Sequence, residues 1–144
     1  MSRILLADDS PHAQRMGEFI LREEGFEVVT VTDGVTAVVR LPDVDPDLVL
    51  ADVSLPQRSG YDLCDHVKTH PGHRHAKVVL MAGAQEPIDE EEARRVGADG
   101  ILRKPFEASV MIETARRLVE AALQARKPPS EATPLAEPGA AQTE

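Results

Sequence analysis

The chain has 144 residues, a formal net charge of −9 and a hydrophobic content of 42%, with aromatics at only 3%. That length supports one domain with an aliphatic core, and the acidic balance argues against non-specific binding to nucleic acid or to an anionic membrane surface. A lone cysteine, Cys64, excludes an internal disulfide; no apolar run is long enough to span a bilayer, and the run after Met1-Ser2-Arg3 is too short for a signal peptide, so a cytoplasmic protein is expected.

Short β-rich runs alternate with longer amphipathic stretches. Ile4 to Ala7 reads as a first strand, followed by a helix that starts at Ser10-Pro11, with Ser as N-cap and Pro at the first helical position. Met16, Phe19 and Ile20 recur at helical spacing, and Gly25 stops that helix. Val28 to Val31 is the second strand. Asp33-Gly34 is a turn or cap before a short helix carrying Val35, Val38 and Val39. Pro42 and Pro46 are expected to break the chain before a third strand, Leu48 to Ala51. Ser59, with Asp62 three residues on, resembles a capping box for a helix through Leu63, Cys64 and Val67. Val78 to Met81 is the fourth strand, Asp89 to Val96 a helix ended by Gly97, and Gly100 to Leu102 the fifth strand. A last helix carries Val110, Met111, Ala115, Leu118, Val119 and Ala122. From about Arg126 the composition turns to Pro and small residues without aromatics, so 126–144 is expected to be a disordered tail or linker.

Alternating β and α units imply a parallel sheet with helices on both faces, and such sheets bind ligands beyond the carboxyl ends of their strands. Asp8 and Asp9 follow the first strand, Asp52 the third, and Lys104 the fifth. All four then project from one edge. Carboxylates crowded in this way repel, which makes sense mainly if they hold a divalent cation. The lysine adds positive charge for an anion brought to that cation, a constellation suited to phosphoryl chemistry.

These pieces, in this order and each after its own strand, resemble the receiver (CheY-like) domain of bacterial two-component response regulators. The resemblance covers about residues 1–125 and rests on Asp8-Asp9, on Asp52-Val53-Ser54-Leu55-Pro56 with Gly60, on Gly97-Ala98-Asp99-Gly100, and on Lys104-Pro105-Phe106. It implies a flavodoxin-like, doubly wound five-stranded parallel sheet of order 2-1-3-4-5 in a single domain. It also implies that Asp52 is a phosphoacceptor taking phosphate from a histidine kinase or a histidine phosphotransfer protein. Mg²⁺ would be held by Asp9, Asp52 and the backbone carbonyl of Ser54, with Asp8 reaching through water, and Lys104 would contact the phosphoryl group. The Lys104-Pro105 bond is expected to be cis. The chain would be a signalling module rather than a metabolic enzyme, with an unknown downstream protein and no direct contact with nucleic acid or membrane. A homodimer through the fourth helix, fifth strand and fifth helix is a possibility of the family.

The chain departs from that family at two places. The position of the usual Thr or Ser at the end of the fourth strand is Ala82, and the usual aromatic three residues before the lysine is Ile101. The expectation is a phosphoacceptor with an atypical switch. Two rivals stand beside it. One is a phosphorylation-independent pseudo-receiver used for docking. The other is a phosphatase of the haloacid-dehalogenase kind, which wants a second Asp two residues after its nucleophile, where this chain has Ser10. The run His66, His70, His73, His75 reads as a solvated, titrating loop at the far, amino-terminal edge of the sheet rather than a metal site. Cys64 reads as a core residue, and Glu90-Glu91-Glu92 with Arg94-Arg95 as a solvated helix face with internal pairs.

Overall fold

The structure, a computed structural model, describes residues 2–126. Five strands alternate with five helices: β1 (Arg3–Ala7), α1 (Pro11–Glu23), β2 (Glu27–Val31), α2 (Gly34–Val44), β3 (Leu48–Asp52), α3 (Gly60–Thr69), β4 (Lys77–Ala82), α4 (Glu90–Arg95), β5 (Gly100–Arg103) and α5 (Ala108–Arg126). The strands form one parallel sheet in the order β2-β1-β3-β4-β5, as expected for the doubly wound architecture.

Strand periodicity divides the core into two layers. Leu5, Val49, Val78 and Leu80 face α2, α3 and α4, packing with Ala37, Leu41, Leu63, Cys64 and Val96. Their neighbours Ile4, Leu6, Leu48, Leu50, Val79 and Met81 face α1 and α5, against Leu21, Met111, Ala115, Leu118 and Val119. Both faces are covered, which is why the central strands read as unbroken apolar runs.

Helix starts follow their capping residues. Ser10, Asp33, Ser59 and Asp89 each accept a hydrogen bond from the main-chain N–H three residues ahead. Gly25 and Gly97 take positive φ just beyond α1 and α4.

Two expectations need correction. The buried residues of α1 are Ala13, Gly17 and Leu21; of the Met16–Phe19–Ile20 set, Ile20 packs against the core while Phe19 is 67% exposed. The helix lies so close to the sheet that a Cβ on Gly17 would meet the Leu6 side chain at 3.1 Å, so small residues line the contact. Pro42 does not end α2, which runs to Val44. Proline is most disruptive in a helix interior. Here it falls in the last turn, and Asp45, at φ 47°, closes the helix with its N–H on the Leu41 carbonyl.

The expected tail lies outside the described residues except for Arg126, the last residue of α5. The Arg126 guanidinium bonds both Asp45 (2.9 Å) and Asp47 (2.9 Å), joining the end of α5 to the chain entering β3. Asp47 also accepts the Arg3 amide at 3.1 Å, so one buried carboxylate ties β1, β3 and α5 together.

Gly60 sets the approach of α3 to the end of β3. A Cβ there would lie 2.5 Å from the Asp52 carbonyl oxygen and 2.9 Å from its carbon, both backbone atoms. Gly60→Ala is expected to destabilise the fold by about 1–3 kcal/mol, the usual cost of overpacking. Urea unfolding checks this; an unchanged midpoint would mean that the Asp52 peptide can move aside.

Candidate functional site

The parallel register places the site. Ala7 pairs with Ala51 across β1 and β3, so Asp8 and Asp52 leave adjacent strand ends side by side. Asp8 is wholly buried and Asp52 is 3% exposed, while Asp9, the next residue along, is exposed. Oxygen atoms of Asp8, Asp9 and Asp52 lie within 4.8 Å of one another. Among the described residues no other group of three His, Cys, Asp or Glu side chains offers such a donor set. Three carboxylate donors of this hardness suit a small divalent cation that keeps part of its water shell.

Lys104 crosses from the end of β5 to reach both buried carboxylates. Its Nζ is 2.5 Å from Asp52 Oδ2, and 3.0 Å and 3.3 Å from the two oxygens of Asp8. Main-chain bonds hold the surrounding turns. The Lys104 N–H donates to the Ala82 carbonyl (2.8 Å), and the Val53 N–H donates to Met81 (2.9 Å). The Ser10 N–H donates to Asp8 Oδ1 (2.9 Å) and the Ser54 N–H to Asp52 Oδ1 (2.8 Å). The Lys104-Pro105 bond is cis, as expected.

Burial raises the Asp8 pKa above its ordinary value. The Ser10 amide and the Lys104 ammonium pull it back, but burial prevails. Burial also pulls Lys104 down, yet its hydrogen bonds to Asp52 and Asp8 outweigh that effect and raise its pKa. Two buried carboxylates facing one ammonium leave the cluster with an excess of negative charge, an attraction for a cation.

Ala82 ends β4 fully buried, so that strand end carries a methyl group and no hydroxyl. Ile101 lies on the edge strand β5, 41% exposed. Ser54 follows Asp52 by two residues, with its side chain turned outward to Glu86.

Sequence reasoning missed Glu86. Its carboxylate takes the Gly83 N–H (2.9 Å) and the Ser54 hydroxyl, and the Arg103 guanidinium bonds the carbonyls of Gly83 (2.9 Å) and Glu86. No motif position points to a loop glutamate; the Gly83 that frees the backbone beside it was the available signal. Asp99 has a structural role. Its carboxylate holds the Val78 N–H (2.8 Å) and pairs with Lys68 (2.7 Å), fixing the entry to β4.

The histidines do cluster at the amino ends of the strands. The His70 and His73 rings stack with centroids 4.3 Å apart, and His66 lies 5.8 Å from His70. The segment is not solvated throughout, however. His73 is buried, its Nδ1 has no partner, and burial first of all holds the pKa values of His66, His73 and His75 below the ordinary imidazole range. Cys64 is a core residue whose Sγ–H reaches the Val96 carbonyl, and burial pushes its pKa up to about 12.

Comparison with known proteins now has a geometry to rest on. The family model described as the response regulator receiver domain matches residues 4–116. The protein PilG of Pseudomonas aeruginosa is 29% identical over 104 residues, which are 72% of this chain and 77% of PilG. The DNA-binding response regulator MtrA of Mycolicibacterium smegmatis is 32% identical over 114 residues, 79% of this chain but only 49% of MtrA. The chain therefore spans about half the length of that relative. Among solved structures, the signal receiver domain of a signal transduction histidine kinase from Syntrophus aciditrophicus superposes with a TM-score of 0.79 at 31% identity. The match covers 90% of this chain and 96% of that one.

Burial makes the charged form of Asp8 a cost to the fold. With its pKa above the ordinary 3.8, the unfolded chain releases the proton more readily than the native one, so native stability falls as pH rises through this range. Asp8→Asn is therefore expected to raise the melting temperature at pH 7 in EDTA, with the gain shrinking as pH falls toward 4. Scanning calorimetry at several pH values measures this. A variant less stable than the parent at neutral pH would show that the Lys104 contact dominates instead.

Proposed function

We propose, because this chain belongs to the response regulator receiver domain family, that Asp52 is its phosphoacceptor in a two-component phosphorelay. The observation that carries the reading is the convergence of Asp8, Asp9, Asp52 and Lys104 at one edge of the sheet. A family member that had lost the chemistry would have no reason to keep two buried carboxylates against one ammonium.

In this reading an Asp52 oxygen attacks the phosphorus of a phosphohistidine on a kinase or phosphotransfer protein. The new O–P bond forms as the P–N bond breaks, and the departing imidazole takes a proton from water. Lys104 swings from the carboxylates to a phosphoryl oxygen as a compact point charge. Asp8 and the Ser54 amide hold the pocket in register while Asp52 reacts. Charge neutralisation of the transferring oxygens is what a Mg²⁺ held by Asp9, Asp52 and the Ser54 carbonyl, with Asp8 through water, would supply.

The module is a signalling one, acting in the cytoplasm with a histidine kinase or phosphotransfer protein upstream. The lone, unbridged Cys64 suits that compartment, and no helix among the described residues is long and apolar enough to cross a membrane. Ile101 and Val110 are exposed apolar residues on β5 and α5, a surface suited to a downstream protein or a second copy.

Ala82 and Ile101 support a rival reading, a docking module that needs no phosphate. With Ala82, one charge-assisted hydrogen bond to the phosphoryl group is lost, worth about 1.5–3 kcal/mol. Metal, lysine and nucleophile supply most of the charge stabilisation without it, so transfer to Asp52 persists while the ordinary switch does not.

Acetyl phosphate with Mg²⁺ is expected to add one phosphoryl group, about 80 Da, to the wild type. Neither Asp52→Asn nor the wild type in EDTA should gain it. Intact-mass spectrometry decides; a wild type that stays unmodified favours the docking module.

A further inference from the structure

The Glu86 carboxylate sits on the rim of the acid cluster as though it were a bound anion. Its two hydrogen-bond donors are the Gly83 N–H and the Ser54 hydroxyl. Gly83 is the first residue past Ala82, whose carbonyl is fixed by the Lys104 amide. Ser54 has its own amide on Asp52 Oδ1. Both donors therefore belong to the frame around Asp52 and Lys104. Besides those two donors, the positive charges of Lys104 and, more weakly, Arg103 favour a carboxylate at Glu86.

The same residue anchors a loop. Glu86 closes a turn with its N–H on the Gly83 carbonyl (3.1 Å), and Arg103 from β5 clamps the carbonyls of both ends of that turn. Further along, the Asp89 N–H is held by the Tyr61 hydroxyl at 3.0 Å, and Asp89 caps α4. Glu86 is thus joined to the start of α4 by a short, tethered segment.

We propose that Glu86 is an internal anion that occupies the phosphoryl-binding donors beside Asp52 and is expelled when a phosphoryl group arrives there. The inference rests on the phosphoacceptor reading and deepens it. A phosphoryl group carries close to two negative charges and three strong acceptor oxygens. Once it is bonded to Asp52, it takes the Gly83 N–H and the Ser54 hydroxyl, and like-charge repulsion sends the Glu86 carboxylate to water. The turn from Gly83 to Glu86 then loses its side-chain anchor, and the start of α4 is released. In this chain the state of Asp52 is read by a departing carboxylate, where Ala82 offers no hydroxyl to do so. Before transfer, Glu86 is a competitor that weakens the phosphodonor's hold.

The test compares wild type, Glu86→Gln and Glu86→Ala, each given acetyl phosphate over a range of concentrations with Mg²⁺. In the transfer Asp52 gains the phosphoryl group as the P–O bond breaks and acetate leaves. The half-saturating acetyl phosphate concentration is expected to fall about fivefold in Glu86→Ala, the scale of one partly exposed charge-assisted bond, with the maximal rate unchanged. Glu86→Gln should fall between, since its amide keeps an acceptor without the charge. In ¹⁵N spectra of unphosphorylated Glu86→Ala, the amides of 83–89 should sit near the positions they take in phosphorylated wild type. A purely structural role would move the melting temperature and leave half-saturation alone. If wild type is phosphorylated and both variants match it in half-saturation and loop spectra, the Glu86 proposal is overturned and the phosphoacceptor reading stands. If no protein of the three gains phosphate at Asp52, both fall together.

Discussion

Two carboxylates held side by side in a dry space are costly, and the rest of this structure is arranged around that crowding. Asp8 and Asp52 leave the ends of neighbouring strands in register, so their separation is fixed by the sheet and cannot relax. The single ammonium that reaches both comes from β5, separated from β3 by β4. A sheet that twisted or slipped by one residue would turn these side chains to opposite faces and dissolve the cluster. The two-layer aliphatic core and the caps of the helices hold the register. The ionic groups then act within it. Burial pushes up the Asp8 pKa despite its ion pair with Lys104, so this crowding is a cost that the resting fold carries.

The surroundings of that cluster differ from its centre in how they are built. The carboxylates and lysine sit on strand ends, where packing leaves little freedom. Their outer rim is a loop held largely by polar contacts: Glu86 on Gly83 and Ser54, Arg103 on two carbonyls, Tyr61 on Asp89, with Ile88 packed against the core. Polar tethers in contact with water are exchanged cheaply, whereas a buried apolar contact is not. For the proposed phosphoacceptor, a firmly held acid cluster beside a lightly tethered loop divides chemistry from response. In the Glu86 proposal this loop is the path from Asp52 to α4 in a chain with alanine at the end of β4.

How much of this was legible beforehand depended on whether a feature is local or not. The strand runs, the caps Ser10, Asp33 and Ser59, and the stops at Gly25 and Gly97 are governed by a few consecutive residues and were found where expected, the strands and α4 shifting by only a residue or two at their ends, with Asp89 capping α4 rather than starting it. On α1 the spacing of large apolar residues found Ile20, which packs on the core, but not how closely the helix approaches the sheet; Gly17 is buried because it is small, and Phe19 is left exposed. Pro42 was misread because the cost of a proline depends on its place in the helix, which the αL closure at Asp45 sets. The histidine segment was taken as solvated, but burial of a loop is decided by what packs over it.

Strand-end position and charge sufficed to nominate Asp8, Asp9, Asp52 and Lys104 from the sequence, since side chains at the carboxyl ends of parallel strands share an edge by geometry. The absence of a hydroxyl at Ala82 was equally plain there. Only the folded chain decided that Lys104 touches both buried carboxylates, that Arg126 closes the domain onto Asp45 and Asp47, and that Glu86 rests on Ser54. These contacts join residues 32 to 96 positions apart. No local periodicity encodes such a pairing, because it arises when separate elements are brought together by burial of their apolar faces.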